Sequence, residues 1–491
     1  MRDLFITNTL SKKKEQFIPI DAKEVRVYSC GPTTYDFMHI GNARAFCVGD
    51  LIVRVLRVLG YKVKFVRNFT DVDDKIIQRA LEVGENPMAF SERFVQEALT
   101  DMDYLKITRP EVMPKVSECM DDILNMIQRI IDAKKAYVEK GEVLYSVESF
   151  PHYGKLSGRK LEDQKAGARV EAKDHKHHPS DFVLWKPSDV EGASWDSAYG
   201  RGRPGWHIEC SAMIEKHLGD QIDIHHGGID LIFPHHENEI AQSEAATCKK
   251  MSNFWCHHEF LNFGDEKMSK SLGNVITIRA FSEKYSAMLL KYAFVSVHYR
   301  SKIDWNKDFI ARGISDLRRI YDVLLELDES KRNEKFVLDE KKLAKAKEDC
   351  REEILSSLSN DFNAPGALAS FFTFLRLLRR DFSFEGKMQL AFKDVEEIFR
   401  LIEKALGFLD LSDIRKTLID LDAANLRLEQ EESGGEMQKV DEKKIRDLIE
   451  RRSLAKKNRD FKTADSIRDE LLGLNIVLKD LPSGETTWRV G

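Results

Sequence analysis

No run of apolar residues in this 491-residue chain is long enough to span a bilayer. The opening residues, Met1-Arg2-Asp3-Leu4-Phe5, lack the apolar stretch of a signal peptide. Cysteine is scarce: seven in all, an odd number, with no Cys-x-x-Cys pair. That argues against a disulfide framework and for a reducing compartment, so a cytoplasmic protein without membrane attachment is expected. Excess positive charge is also missing. The 77 Lys and Arg face 82 Asp and Glu, a formal net charge of -5. A nucleic-acid role would therefore need local basic faces on an acidic chain. Internal repeats are absent too.

What is present is ordinary for a soluble globular chain: 42% hydrophobic and 32% charged residues. The length exceeds one core and implies three or more domains. The stretch that organises the rest is Val25 to Leu59. Val25, Val27 and Tyr28 suggest a short buried strand, ended by Gly31 and Pro32. From Asn42 the apolar period becomes helical, with Val48, Leu51, Ile52, Val55, Leu56 and Leu59 on one face and Gly60 as the stop. Tyr61 to Val66 alternates as a second strand, giving a βαβ unit with parallel pairing. A helix N-terminus offers unpaired N–H donors and the positive end of a dipole, so the strand-to-helix turn suits phosphate. His39 and Asn42, three apart at that turn, can face one ligand, and Gly41 leaves room against the backbone.

Taken alone, a His beside a Gly reads as a structural turn, and Lys267-Met268-Ser269-Lys270-Ser271 as a solvated Lys-rich turn. Together and in this order, His39-Ile40-Gly41-Asn42 and Lys267-Met268-Ser269-Lys270-Ser271 resemble the HIGH and KMSKS signatures of the class I aminoacyl-tRNA synthetases. Four further words resemble the cysteinyl-tRNA synthetase family: Cys30-Gly31-Pro32-Thr33, Asn68 to Lys75, Pro204-Gly205-Trp206-His207-Ile208-Glu209-Cys210, and Phe233-Pro234-His235-His236-Glu237-Asn238-Glu239. The similarity covers nearly the whole chain. Asn42 departs from the second histidine of HIGH, but remains a neutral hydrogen-bond donor.

The resemblance implies an α/β fold. A Rossmann-type parallel-sheet catalytic domain carries an insertion and is followed by a helical-bundle anticodon-binding domain and a small C-terminal α+β domain. The expected boundaries are 1–115 and 201–250 for the two catalytic halves, with 116–200 as the connective insertion. The region 251–314 carries KMSKS and the stem contacts, 315–429 the bundle, 430–440 a linker, and 441–491 the tRNA-binding tail. Residues 1 to about 20, polar and Lys-rich, read as an extended lead-in. Amphipathic helices are expected at Met120–Ala136, Leu317–Leu327, Asp339–Leu358, Ala364–Arg380, Asp394–Leu406, Lys443–Lys457 and Phe461–Leu472, with a terminal hairpin around Pro482-Ser483-Gly484.

The implied reaction is activation of L-cysteine by ATP, with Mg2+, to cysteinyl-adenylate, then transfer to the 3′ end of tRNA(Cys) by a monomer. By resemblance His39, Asn42, Lys267 and Lys270 are catalytic, with Gly264 and Gly273 as hinges of the KMSKS loop. His39, Gly41, Asn42, Gly228, Asp230 and Lys270 hold ATP, and Gly31, Thr70, Trp206 and His225 line the cysteine pocket. Cys30, Cys210, His235 and Glu239 match the ligands of one zinc ion per chain. His235 and Glu239 are spaced i, i+4 and can share a helix face. Zinc accepts thiolate, imidazole and carboxylate together, and it prefers a thiolate to an alcohol, which shape alone separates poorly. His175, His177 and His178 invite a second metal reading, but a solvated loop is the better one. Arg376, Arg379, Arg380, Arg452, Lys456, Arg459 and Trp488 are the candidates for RNA contact. Three rival readings stand beside this one. A cysteine ligase of mycothiol type would not need residues 315–491. A small nucleotidylyltransferase would leave the zinc set unexplained. A non-catalytic RNA-binding paralogue would be expected to lose His39, Lys270 or a zinc ligand.

Overall fold

The computed structural model describes residues 2–160, 175–263, 266–267, 276–432, 442–458, 460–473, 476–480 and 486–490. Two compact units are resolved. The first comprises 1–279 with 297–303 and 357–364; the second comprises 280–296, 304–356 and 365–491.

The first unit is built on a four-stranded parallel sheet. Strand β1 (Val25–Ser29) leads into helix α1 (Ile40–Val58) and strand β2 (Val63–Arg67). The apolar stripe of α1 is buried, and Gly60 follows its last turn at φ +94°, a conformation that favours glycine. Helix α2 (Trp206–Leu218) precedes β3 (Ile222–Gly228), and helix α3 (Glu237–Thr247) precedes β4 (Ser252–His258). The sheet order is β4-β3-β1-β2, all parallel, with Tyr28 between Val66 and His225, and His225 beside Trp255. The chain leaves β1 to one side for β2 and returns on the other side for β3. The β1/β3 boundary is thus a topological switch point, and open α/β sheets bind ligands there, beyond the carboxyl ends of the strands.

Between the halves lies an antiparallel sheet of Ala136–Glu139, Glu142–Tyr145, Phe182–Pro187 and Gly202–Pro204. Its inward residues Val143, Tyr145, Leu184 and Trp185 share one core with Tyr28, Val66, Ile208 and Ile240. The segment is welded to the parallel sheet by apolar burial rather than hung from it.

Two expectations are corrected. The first 20 residues are no loose lead-in: Phe5–Asn8 pairs antiparallel with Lys13–Gln16, and Leu4 and Ile6 are fully buried. Thr7 anchors the hairpin by donating its N–H (2.9 Å) and hydroxyl (2.6 Å) to the two carboxylate oxygens of Asp361. Asp361 also accepts the Tyr299 hydroxyl at 2.8 Å. Lysines on the outer face hid the inward alternation. The histidines at 175–178 do lie on a loop, with His177 exposed, but the loop is only partly solvated. His178 is buried, His175 Nε2 meets Glu142 Oε2 at 2.8 Å, and His177 stacks on Tyr137.

The second unit is helical: Ala287–Val295, Lys307–Asp328, Glu340–Leu358, Ala364–Asp381, Phe392–Leu406, Ile414–Glu432, Glu442–Lys457 and Phe461–Gly473. Strands Ile476–Asp480 and Thr486–Val490 pair as the expected hairpin. The helix Ile414–Glu432 is absent from the sequence reading because Asp420 and Asp422 interrupt its apolar face. It runs into the expected linker as far as Glu432, and residues 433–440 of that linker lie outside the described residues.

Candidate active site

A cavity of about 480 Å³ opens at the switch point. Its walls come from the carboxyl ends of all four strands: Ser29 ending β1 with Cys30 after it, Arg67 ending β2, Gly228 ending β3 and His258 ending β4. The β1–α1 turn supplies His39, Gly41 and Asn42. Of the sequence-predicted residues, Cys30, Gly31, His39, Gly41, Asn42, Trp206, Gly228 and Asp230 line this one cavity. Gly31 is required by a close approach, because a Cβ there would lie 1.6 Å from the Asn68 carbonyl oxygen.

The turn into α1 is a reciprocal cap. His39 Nδ1 accepts the Asn42 backbone N–H at 3.2 Å, and Asn42 Oδ1 accepts the His39 N–H at 3.1 Å. Accepting at Nδ1 leaves the proton of neutral His39 on Nε2. It also explains the asparagine: its carbonyl oxygen is committed to the cap, so its amide NH2 is what it offers a ligand. The chain that follows the second signature returns to this turn. Ile40 donates to the Ile276 carbonyl at 3.0 Å and Ile278 to that of Met38 at 2.9 Å. Lys267 lies on a short strand paired with Asn262; its side chain, and Gly264, Lys270 and Gly273, lie outside the described residues.

Behind the cavity wall four donors converge. One ligand atom from each of Cys30, Cys210, His235 and Glu239 lies within 4.8 Å of the others. The two sulfurs are 4.0 Å apart, Cys30 Sγ is 3.7 Å from Glu239 Oε1, and His235 Nε2 is 2.9 Å from the same oxygen. The expected i, i+4 pairing of His235 with Glu239 is therefore met, across a single wide turn, Ile232–His236, that feeds α3. A second overlapping set replaces Cys210 and His235 by His225 and His236. The protonation states of these four groups are set by one another. The hydrogen bond from Cys30 holds the Cys210 thiol down at about 6, whereas burial pushes the Cys30 thiol up. Burial would raise Glu239, but His225 and His235 outweigh it and hold the carboxyl down at about 2. Burial would lower His235, but Glu239 and Cys210 lift it to about 10. Two sulfurs, an imidazole and a carboxylate in a dry pocket fit a borderline-soft divalent ion such as zinc.

The remaining predicted residues divide. Trp206 is 40% exposed, and its ring stacks on His235 with centroids 4.3 Å apart. It is wall rather than core. Thr70 and His225 are buried: Thr70 accepts from Asn68 at 3.3 Å, and His225 Nε2 meets Glu239 Oε2 at 2.9 Å. Arg44, Arg67, His226 and His258 line the cavity without having been read from sequence. Arg67 immediately precedes the Asn68-Phe69-Thr70 word, which was the one available signal. In the second unit Arg379 is paired with Glu326 and Arg380 with Asp381, while Arg452 is buried. Arg459 and the Trp488 side chain lie outside the described residues.

Residues 16–315 match the family model described as tRNA synthetases class I (C) catalytic domain. Among curated proteins, the cysteine–tRNA ligase of Maridesulfovibrio salexigens is 42% identical over 98% of this chain and 99% of its own length. That of Clostridioides difficile is 39% identical over 99% of each. Among solved structures, Mycobacterium tuberculosis methionyl-tRNA synthetase in complex with methionyl-adenylate superposes with a TM-score of 0.56 at 15% identity. The match covers 83% of this chain and 91% of that one, and it shows the shared α/β fold.

Proposed function

This chain belongs to the cysteine–tRNA ligase family of class I tRNA synthetases, and from that premise we propose that it activates L-cysteine with ATP and transfers it to tRNA(Cys). In the first step a cysteine carboxylate oxygen bonds to the α-phosphorus as the bond to the β-phosphate oxygen breaks. Cysteinyl-adenylate forms and pyrophosphate leaves. In the second, a hydroxyl of the terminal tRNA ribose attacks the acyl carbon, and AMP leaves.

Negative charge builds on the phosphates during activation, and preorganised donors stabilise it best. His39 Nε2–H, the Asn42 amide and the N-terminus of α1 would supply donors from one side, with Mg2+ accompanying the nucleotide. Lys267 and Lys270 would supply charge from the other, Lys270 foremost. Gly228 and Asp230 would hold the nucleoside, and Gly31 and Trp206 the amino acid. Cys30, Cys210, His235 and Glu239 would hold zinc. When bound, that ion supplies a soft Lewis-acid contact that a thiol satisfies and a serine hydroxyl does not. Thr70 and His225 would then act from behind the wall, His225 by orienting the Glu239 carboxylate.

The single observation that carries this reading is the convergence of the four donors beside the cavity that also contains the His39–Asn42 cap. The test is cysteine-dependent ATP–pyrophosphate exchange on zinc-loaded protein, with serine as control, followed by charging of total tRNA. Exchange with cysteine alone, plus charging, is expected. Exchange without charging would replace this reading by a ligase acting on a small amine, and no exchange by an RNA-binding paralogue.

A further inference from the structure

Two of the four candidate metal ligands, His235 and Glu239, sit on a stretch that does not hold its own shape. The wide turn Ile232–His236 contains Phe233 at φ −140° and ψ 130°, outside the helical region. Helix α3 (Glu237–Thr247) then starts from His236 without a side-chain cap. The first N–H groups of a helix have no partners inside it, and a cap normally fixes how the chain enters. Here the entry is fixed from outside, by the segment between the two halves of the parallel sheet.

Glu237 and Asn238, between the two ligands in sequence, engage that segment. Glu237 is fully buried, and one carboxylate oxygen accepts the Ser157 N–H at 2.8 Å and the Leu156 N–H at 3.2 Å. Asn238 Oδ1 accepts the Tyr153 hydroxyl at 2.5 Å. Further along α3, Lys155 Nζ pairs with Glu244 Oε2 at 2.6 Å. Before α3, the Arg159 guanidinium lies over the Phe233 ring at 4.4 Å. Tyr153 and Leu156 also share one core with Ile240 and Ala241 of α3. The turn that makes these contacts is closed on itself. Gly154 has φ +95°, and a Cβ there would lie 2.0 Å from the Arg159 carbonyl oxygen. Gly158 donates its N–H to the Gly154 carbonyl at 2.7 Å. The turn thus presents two successive backbone N–H groups to one carboxylate, and hydrogen bonds of that kind are among the stronger ones. His235 lies two residues before Glu237 and Glu239 two after it. A shift at Glu237 therefore moves both ligands together, while Cys30 after β1 and Cys210 on α2 stay behind.

We infer that Glu237 is a positioning residue of the metal centre: held by the turn at 153–159, it fixes the start of α3 so that His235 and Glu239 meet Cys30 and Cys210 at one point. This deepens the proposed function and rests on its zinc assignment. The test is competition for zinc between the full chain and a chromophoric chelator, with the visible spectrum of cobalt-substituted protein as a direct reading of the donor set; neither needs turnover. Groups behind a ligand are worth about tenfold to a hundredfold in metal affinity, and Glu237→Ala should lose that much. Glu237→Gln, which keeps an oxygen acceptor, should recover most of the loss. Tyr153→Phe, which removes only the hydroxyl at Asn238, should cost about threefold to fivefold. The cobalt spectrum should shift in Glu237→Ala and match the parent in Glu237→Gln. Affinity for a non-hydrolysable ATP analogue should stay within about twofold throughout, because a positioning role leaves the rest of the sheet intact. Parent-like zinc affinity in Glu237→Ala, a Gln variant as weak as the Ala variant, or equal losses of zinc and nucleotide affinity would each overturn the inference. Absent pyrophosphate exchange in the parent, with these zinc shifts intact, would instead remove the synthetase reading and leave the positioning role standing.

Discussion

The two units differ in how many polar side chains they bury. Among the described residues, the second unit buries four polar or charged groups: Lys291, Gln389, Asp422 and Arg452. Most of the rest of its interior is Leu, Ile, Phe, Val and Ala on amphipathic helices, with a few aromatic side chains such as Tyr292 and Tyr321. The first unit buries His225, His226, His235, His236, His257 and His258, with Arg44, Arg67, Glu209 and Glu239, around one end of its sheet. Burying such groups costs free energy unless they are paired; the six histidines and Glu239 are bonded among themselves, and Arg44 donates to backbone carbonyls. The helical unit obtains its stability from apolar area. The sheet unit gives some up to hold a polar constellation in place.

That contrast can be broken from either side. The largest effect is expected from Cys210→Ala, which should abolish zinc retention and slow cysteine activation by about a thousandfold or more. Metal analysis and pyrophosphate exchange on the same sample check it, and normal exchange by metal-free protein would sink the zinc assignment. In the helical unit, Phe399 is fully buried edge-on against Phe371, with centroids 5.2 Å apart. Phe399→Ala should cost about 3–5 kcal/mol of that unit's stability in urea titration. Pyrophosphate exchange should survive while tRNA charging falls; loss of both together would argue against a separate task for the helices.

Lys270→Ala should slow adenylate formation about a hundredfold while weakening cysteine binding far less, as a transition-state contact requires. Single-turnover kinetics against cysteine affinity separates the two, and equal losses would count against it. The smallest effect is predicted at Asp101, where burial raises the carboxyl to about 6 although Arg279 opposes the shift. One of its oxygens has no hydrogen-bond partner among the described residues. The folded pKa lies above the ordinary aspartate value, so folding favours the protonated form. Asp101 therefore supports the fold near pH 4 and opposes it increasingly as pH rises to about 6. Asp101→Asn should stabilise by about 1–2 kcal/mol at pH 7 and by nothing at pH 4. Denaturant midpoints at the two pH values test this, and an equal gain at both would exclude the linkage.

Legibility followed the same division. Helices such as Glu340–Leu358 and Ala364–Asp381 were readable to within a residue or two at each end, because a repeating apolar face needs no knowledge of tertiary partners. Cys30, Cys210, His235 and Glu239 were readable only through family words: 209 residues of sequence separate Cys30 from Glu239, and no periodicity links them. Asn42 was legible as a donor but not as half of a cap, since its role depends on the His39 rotamer. Arg67 and His258 carried no signal of their own. Each ends a strand, and only the β4-β3-β1-β2 order brings those ends together.

Asp361 gives the molecule a seam. The carboxylate that fastens Thr7 and Tyr299 lies in a short return segment, 357–364, more than 50 residues beyond the last of the sheet unit's other segments. A gene truncated near residue 315 would encode every strand of the parallel sheet and still arrive without its clasp, leaving the N-terminal hairpin held by Asn8 and Thr9 against β4 alone. Dissection of this protein should therefore excise the intervening helices and suture the return segment back in place, rather than stop the chain early.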